Sequence, residues 1–228
     1  CSNTSENLHV VQRPEISATP AQICVGSTAL LTPKTGGIWI SLDNDIATVA
    51  DSIAIGTGTG LVTFLFADTI TGCQNTLLLS VTERASVMIS GDDEICEDFT
   101  SQLSPSTGGI WTSSNSNVAL VDNEGLVTGV SAGIVFFNFT ESSTGCNSLP
   151  TPILKVNAKP EIQLTGPGEI CIGATTGFSP STGGIWTSNN TLVATIDNLT
   201  GDVTGVGGGT TTFYYTSSAT GCESLPSQ

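Results

Sequence analysis

An all-β fold, laid out as a tandem array of small antiparallel sandwiches, is what three features of this sequence predict. The stretch Thr-Gly-Gly-Ile-Trp occurs three times, at Thr35 to Trp39, Thr107 to Trp111 and Thr182 to Trp186, inside a longer frame that recurs every 73 residues or so. That period is too long for a helical solenoid or a propeller blade and suits a small β domain used repeatedly. Large residues then alternate at Phe64/Phe66, Phe137/Phe139 and Phe213/Tyr215, the period-two pattern of a strand with one buried face. Gly-Gly pairs and Asp-Asn clusters break the chain every few residues, and no stretch carries a helical period.

Taken in chain order, the segment Leu8 to Ile16 parallels Leu154 to Ile162, so residues 1–11 are expected to be the closing strand of a preceding repeat. The repeats proper then span 12–84, 85–158 and 159–228, the third stopping before the strand that corresponds to Ile153 to Val156. The expectation is a window cut from a longer protein. Two other readings of Cys1 are a lipidated first residue, and a pilus-like subunit whose first strand completes a neighbour by β-addition.

Within each repeat an Ile-Cys strand is followed by the Gly-Gly turn and the Ile-Trp strand. Trp39, Trp111 and Trp186 are expected in the core, where an indole fills the space between two sheets. Asp122 to Gly125 and Asp197 to Gly201 are turns; the first repeat has Ala50-Asp51-Ser52 instead, which predicts a different hairpin there. The Phe64, Phe66, Phe137, Phe139, Phe213 and Tyr215 strand supplies the other half of each core. Leu65, Asn138 and Tyr214, between them, fit an exposed or interfacial face. About seven short strands per repeat make an antiparallel sandwich.

Each repeat is near the lower size limit for a single hydrophobic core, and the cysteines supply reinforcement. Every repeat carries one Ile-Cys and one Gly-Cys, about 50 residues apart. The near-constant separation argues for disulfides Cys24 to Cys73, Cys96 to Cys146 and Cys171 to Cys222. Closing such a loop contributes roughly 4 kcal/mol in the chain-entropy model. The competing scheme joins Cys1 to Cys24, Cys73 to Cys96 and Cys146 to Cys171. It asks a bond to span most of two domains, because Gly-Cys begins the last strand at the end of its domain remote from the next repeat. With no Cys-x-x-Cys and one histidine, zinc is disfavoured, and disulfides imply an oxidising, extracellular setting.

The run from Trp111 to Gly129 resembles the signature of bacterial immunoglobulin-like domains of group 2, found in repeat-built surface adhesins, and Trp186 to Gly205 is similar. The added cysteine pair resembles the disulfide-bearing repeats of giant surface adhesins of Bacteroidota, including those of gliding motility. The resemblance covers nearly the whole chain. It implies immunoglobulin-like sandwiches, a place on the bacterial cell surface, and a structural stalk or filament module for attachment or gliding. It names no ligand; a module contacting polysaccharide or another protein is the alternative.

The formal net charge is −15, with only 5 Lys and Arg, which excludes nucleic acid as a partner. No apolar run is long enough to enter a membrane, so the expected partners are neighbouring repeats, filament self-association and surface polysaccharide. His9 is the one histidine and lies in a linking strand, so no nucleophile-histidine pair can be built within a repeat and no enzyme is expected. No cofactor is expected either. Asp43-Asn44-Asp45 and Asp92-Asp93-Glu94 are the candidate calcium ligands, but neither cluster recurs.

Overall fold

The computed structural model describes residues 8–227. They fold entirely as strands and turns, and the immunoglobulin-like sandwich repeats along the chain. By contact the chain divides into two compact units, residues 1–86 with 140–149, and residues 87–139 with 150–228.

The first repeat is the most complete. Its strands are β1 (Ser17–Thr19), β2 (Gln22–Cys24), β3 (Thr28–Thr32), β4 (Gly37–Ser41), β5 (Ala47–Ala50), β6 (Ile53–Gly56), β7 (Gly60–Asp68) and β8 (Gln74–Thr82). They form two four-stranded sheets, β1-β3-β6-β5 and β2-β8-β7-β4. All pairs are antiparallel except β2 with β8, where Ile23 lies opposite Val81. This parallel pair departs from the purely antiparallel expectation. It follows from β2 entering and β8 leaving the repeat in the same direction, side by side.

Alternation builds the core. Val62, Phe64 and Phe66 of β7 point inward with Leu79 and Val81 of β8, and they meet Ala29, Leu31, Trp39, Ala47 and Ala54. The turn Asp51-Ser52 between β5 and β6 has both residues at positive φ, 47° and 65°, whereas Gly125 and Gly201 take φ +80° and +78° in the other repeats. The substituted turn therefore has its own geometry, as its composition predicts. Gly201 is required where it stands: a Cβ there would lie 2.7 Å from the Phe178 carbonyl oxygen and 2.9 Å from the Trp186 indole nitrogen.

The second repeat repeats the plan with β9 (Met88–Ile89), β10 (Glu94–Cys96), β11 (Thr100–Ser104), β12 (Gly109–Ser113), β13 (Ala119–Val121), β14 (Leu126–Gly129), β15 (Gly133–Val135), β16 (Phe137–Glu141) and β17 (Leu154–Asn157). β17 lies between β10, parallel, and β15, antiparallel, with Val156 opposite both Ile95 and Gly133. The third has β18 (Gln163–Leu164), β19 (Thr175–Ser179), β20 (Gly184–Ser188), β21 (Ala194–Ile196), β22 (Asp202–Gly205) and β23 (Phe213–Ser217), in sheets β18-β19-β22-β21 and β20-β23.

Trp39, Trp111 and Trp186 are buried, with ring centroids 5.0, 5.0 and 5.1 Å from Phe66, Phe139 and Tyr215. Each indole N–H donates to the carbonyl of the proline six residues earlier, Pro33, Pro105 and Pro180, at 2.9 Å. The Thr-Gly-Gly loop lies between these partners, so the indole both fills the core and ties the loop down. Phe64, Phe137, Phe139, Phe213 and Tyr215 are buried beside them.

The intra-repeat disulfides expected from spacing are not formed. Cys24 is bonded to Cys146, with Cα atoms 5.7 Å apart, and Cys96 to Cys222, at 5.6 Å. Cys73 and Cys171 are free. Cys1 lies outside the described residues.

Candidate functional site

The cysteine junctions are a recurrent construction in this chain, and each is assembled from two turns. The first follows the Ile-Cys strand. Ser27 N–H donates to Cys24 O at 2.9 Å, Phe99 N–H to Cys96 O at 3.1 Å and Ala174 N–H to Cys171 O at 3.0 Å. The turn needs a left-handed residue two places after the cysteine, supplied by Gly26 (φ +78°), Asp98 (+67°) and Gly173 (+81°). Asp98 fills a glycine's place because a short carboxamide or carboxylate side chain tolerates that region best.

The second turn is the hairpin tip ending in Gly-Cys. Gly72 N–H donates to Asp68 O, Gly145 N–H to Glu141 O and Gly221 N–H to Ser217 O, at 2.9, 2.8 and 2.8 Å. The returning bonds run from the N–H of those same residues, Asp68, Glu141 and Ser217, to the carbonyls of Cys73, Cys146 and Cys222. Thr71, Thr144 and Thr220 hydroxyls accept from the cysteine N–H groups at 3.3, 3.1 and 3.3 Å. All three Gly-Cys hairpin tips thus share one pattern of backbone hydrogen bonds, whether the cysteine is bonded or free.

In one unit the Cys24 turn meets the Cys146 hairpin tip; in the other the Cys96 turn meets the Cys222 tip. Cys146 and Cys222 are fully buried by the arrangement, whereas Cys73 is half-exposed and Cys171 exposed. Each bond therefore joins the Ile-Cys of one repeat to the Gly-Cys of the next, with sequence separations of 122 and 126. The intra-repeat pairing fails because the Ile-Cys turn faces the following repeat, while the Gly-Cys hairpin of the same repeat faces the preceding one.

A basic side chain completes each junction, and sequence reasoning missed it. Arg84 donates from Nε to Val25 O at 2.7 Å, from Nη2 to Ser27 Oγ at 3.2 Å, and from Nη1 to Asn147 O at 3.2 Å. Lys159, at the same distance beyond its strand, donates to Asp98 Oδ2 at 2.6 Å. Arg13 holds the corresponding place before the first repeat. The signal was available: these are three of only five Lys and Arg, and all fall at one position of the frame.

The acidic clusters are engaged locally. Asp43 Oδ1 accepts from Asp45 N–H at 3.1 Å, and Glu94 Oε2 pairs with Lys155 Nζ at 3.4 Å. Among the described residues no group of three His, Cys, Asp or Glu side chains is arranged to hold a metal ion. Asp68 and Asp197 have carboxyl pKa values lowered from the ordinary value by backbone N–H donors, Thr71 and Ile70 for the first, Thr200 and Leu199 for the second. Both close turns. Among the described residues no helix is long and apolar enough to cross a membrane.

Residues 96–144 match the model of the bacterial Ig-like domain, group 2. The match covers the second repeat from its first cysteine to the hairpin tip. Among solved structures, invasin, titled a bacterial integrin-binding protein, aligns at 16% identity over 92% of this chain and 58% of its own, with TM-score 0.36. A C-terminal fragment of intimin, in complex with the intimin-binding domain of its translocated receptor, aligns at 14% over 72% and 55%, with TM-score 0.32. The S-layer protein rSbsC(31-844) aligns at 17% over 95% and 40%, with TM-score 0.27. The chain spans 40 to 58% of the length of these three structures, and at such scores the likenesses carry no argument beyond the strands and turns already described. No curated protein matches.

Proposed function

We propose that this chain is a stalk or filament module of a long, repetitive adhesin on a bacterial cell surface, of the kind Bacteroidota use for attachment and gliding. The observation that carries the reading is the overlap of the two disulfide loops. Cys96 lies inside the loop closed by Cys24 and Cys146, and Cys146 lies inside the loop closed by Cys96 and Cys222. Three covalent routes therefore connect Cys24 with Cys222: along the backbone to Cys96 and across, across to Cys146 and on along the backbone, and across to Cys146, back along the backbone to Cys96 and across again. A chain that carries tension gains from both a short route and a duplicated one. Disulfides also require an oxidising compartment, in keeping with an extracellular place.

The consequence for force is specific. The shortest route, which runs back along the backbone from Cys146 to Cys96, holds about 50 residues, so the segment between Cys24 and Cys222 extends to roughly 175 Å with the disulfides intact and to roughly 700 Å once they are reduced. Single-molecule extension of the end-tethered chain, with and without reductant, measures this. Equal extension in both conditions contradicts the reading. No cofactor enters the proposal, since the staples fix the junctions that a calcium ion would otherwise brace.

One observation favours the second reading, a module that binds polysaccharide or another protein. Ile38, Ile110 and Ile185 stand exposed at the same place in all three repeats. A repeated apolar position on an outer face is what a repeating ligand would meet. Saturable binding on a glycan array, lost in a triple Ile→Ser variant, would establish that role in place of the stalk.

A further inference from the structure

The first repeat has an apolar outer face where the other two repeats are polar. It belongs to the sheet β2-β8-β7-β4, whose inner face carries Trp39, Phe64 and Phe66 into the core. Alternation sends Ile38 and Ile40 of β4 outward, and exposed Leu42 continues the row. Register then places Ala67 beside Ile38, Leu65 beside Ile40, Leu78 beside Thr63 and Ser80 beside Leu61. Ile38, Ile40, Leu42, Leu61 and Leu78 are 46 to 68% exposed. Gln22, Thr63, Gln74, Thr76 and Ser80 complete the face, and none of its residues is charged.

The other repeats show what a solvated outer face carries at the same places. Ile40, Leu42 and Leu65 give way to Thr112, Ser114 and Asn138 in the second repeat, and to Thr187, Asn189 and Tyr214 in the third. Ile38 alone of this row is kept, as Ile110 and Ile185. Those two remain 55 and 48% exposed although a repeat precedes each of them in the chain, so a preceding repeat leaves this face open. The extension from one isoleucine to a whole apolar face is particular to the first repeat, and it marks a surface for association.

Size and charge select the occupant. With strands about 4.8 Å apart and about 3.4 Å per residue, the face measures roughly 15 by 30 Å; two of them pressed together withdraw on the order of 1,000 Å² from water, the size of a weak, reversible interface. The chain carries a net charge of −15, so a second copy is repelled wherever carboxylates meet and is accepted where neither copy presents any. A basic partner finds no carboxylate on this face, and a saccharide finds neither carboxylate nor aromatic ring. Relief agrees with self-pairing. The β4 row is large throughout, whereas the β8 row is short at Thr76 and Ser80 on either side of Leu78; a two-fold axis along β7 lays each β4 over β8 of the other copy, large against small. We infer that the first repeat pairs with the first repeat of a second copy, sheet against sheet, through Ile38, Ile40, Leu42, Leu61, Leu65 and Leu78. This goes beyond the stalk reading and does not depend on it: the pairing is a property of one sheet face, whereas the stalk reading stands or falls on the disulfide loops and the extension measurement.

The test is sedimentation equilibrium of the whole chain with its free thiols alkylated, so that only non-covalent association is read, together with methyl NMR over the same concentrations. A reversible dimer is expected, strengthened by added salt because the two copies carry charge of one sign. Methyl resonances of Ile38, Ile40, Leu65 and Leu78 shift with concentration, while those of Ile110 and Ile185 stay in place. The triple variant Ile40→Thr, Leu42→Ser, Leu65→Asn installs the residues of the second repeat and is expected to weaken the dimer about tenfold or more. Unchanged methyl resonances of buried Leu31 and Leu79 report that its first repeat is folded. A chain that stays monomeric to about 1 mM overturns the inference, as does a dimer that salt weakens or that the triple variant leaves intact. Saturable glycan-array binding by a monomeric chain, lost in the triple variant, also overturns it and gives the face to a saccharide.

Discussion

Cys24 is bonded to Cys146, 122 residues away, while Cys73 stands free in a hairpin tip with the same pattern of backbone hydrogen bonds as that of Cys146. The thiol that Cys24 selects is decided by which end of the repeat each turn faces. A disulfide that closes so long a loop contributes roughly 4–5 kcal/mol in the chain-entropy model, and because the two loops overlap their contributions are not independent.

The overlap predicts resistance to cutting. A protease site introduced at residues 83–86 and cleaved to completion leaves one covalent piece on a non-reducing gel and two pieces after reduction. Intra-repeat disulfides would release two pieces in both lanes.

Removing the guanidinium of Arg84 removes three hydrogen bonds, two to the Cys24 turn and one to the Cys146 hairpin. Arg84→Ala is expected to destabilise by about 1–2 kcal/mol, discounted for its solvent contact. Lys159→Ala removes one ion pair to a largely exposed Asp98 and is expected to cost about 0.5 kcal/mol or less. Denaturant melts of the two variants check the order; a larger loss for Lys159→Ala contradicts it.

Much of this fold is legible in the residues themselves. The alternation at Phe64/Phe66 and its copies places a buried strand, and the substituted Asp51-Ser52 turn announces its separate geometry. The disulfide pairing is not legible from spacing, for a physical reason: a bond within each repeat and a bond from each repeat to the next have the same periodicity. What separates them is the direction each turn faces. Gly-Cys at the domain end remote from the next repeat already places that thiol toward the preceding one. The parallel pairing of Ile23 with Val81 is likewise hidden, since residues in sequence order show only that both strands are buried.

Trp111→Phe keeps a ring against Phe139 but loses the indole N–H to Pro105 O, and is expected to cost about 1–3 kcal/mol, against about 3–5 kcal/mol for Trp111→Ala. Equal losses for both variants in urea melts would show that the hydrogen bond and not the ring holds the Thr-Gly-Gly loop.

The depressed carboxyls set an acid limit. Asp68 and Asp197 titrate below the ordinary value of 3.8 in the folded chain. Their contribution is complete above that value and is lost as pH falls through the folded pKa. Carboxyl titration by NMR should show both below 3.8, with Asp68→Asn and Asp197→Asn removing that part of the acid sensitivity. Titration at or above 3.8 contradicts the turn geometry.

Peptide mapping of the non-reduced, thiol-blocked chain tests the central claim most directly. The account predicts linked peptides Cys24–Cys146 and Cys96–Cys222, with Cys73 and Cys171 blocked in freshly isolated monomer. Linked Cys24–Cys73, Cys96–Cys146 and Cys171–Cys222 peptides would contradict it, leaving three separately closed repeats and no duplicated covalent route.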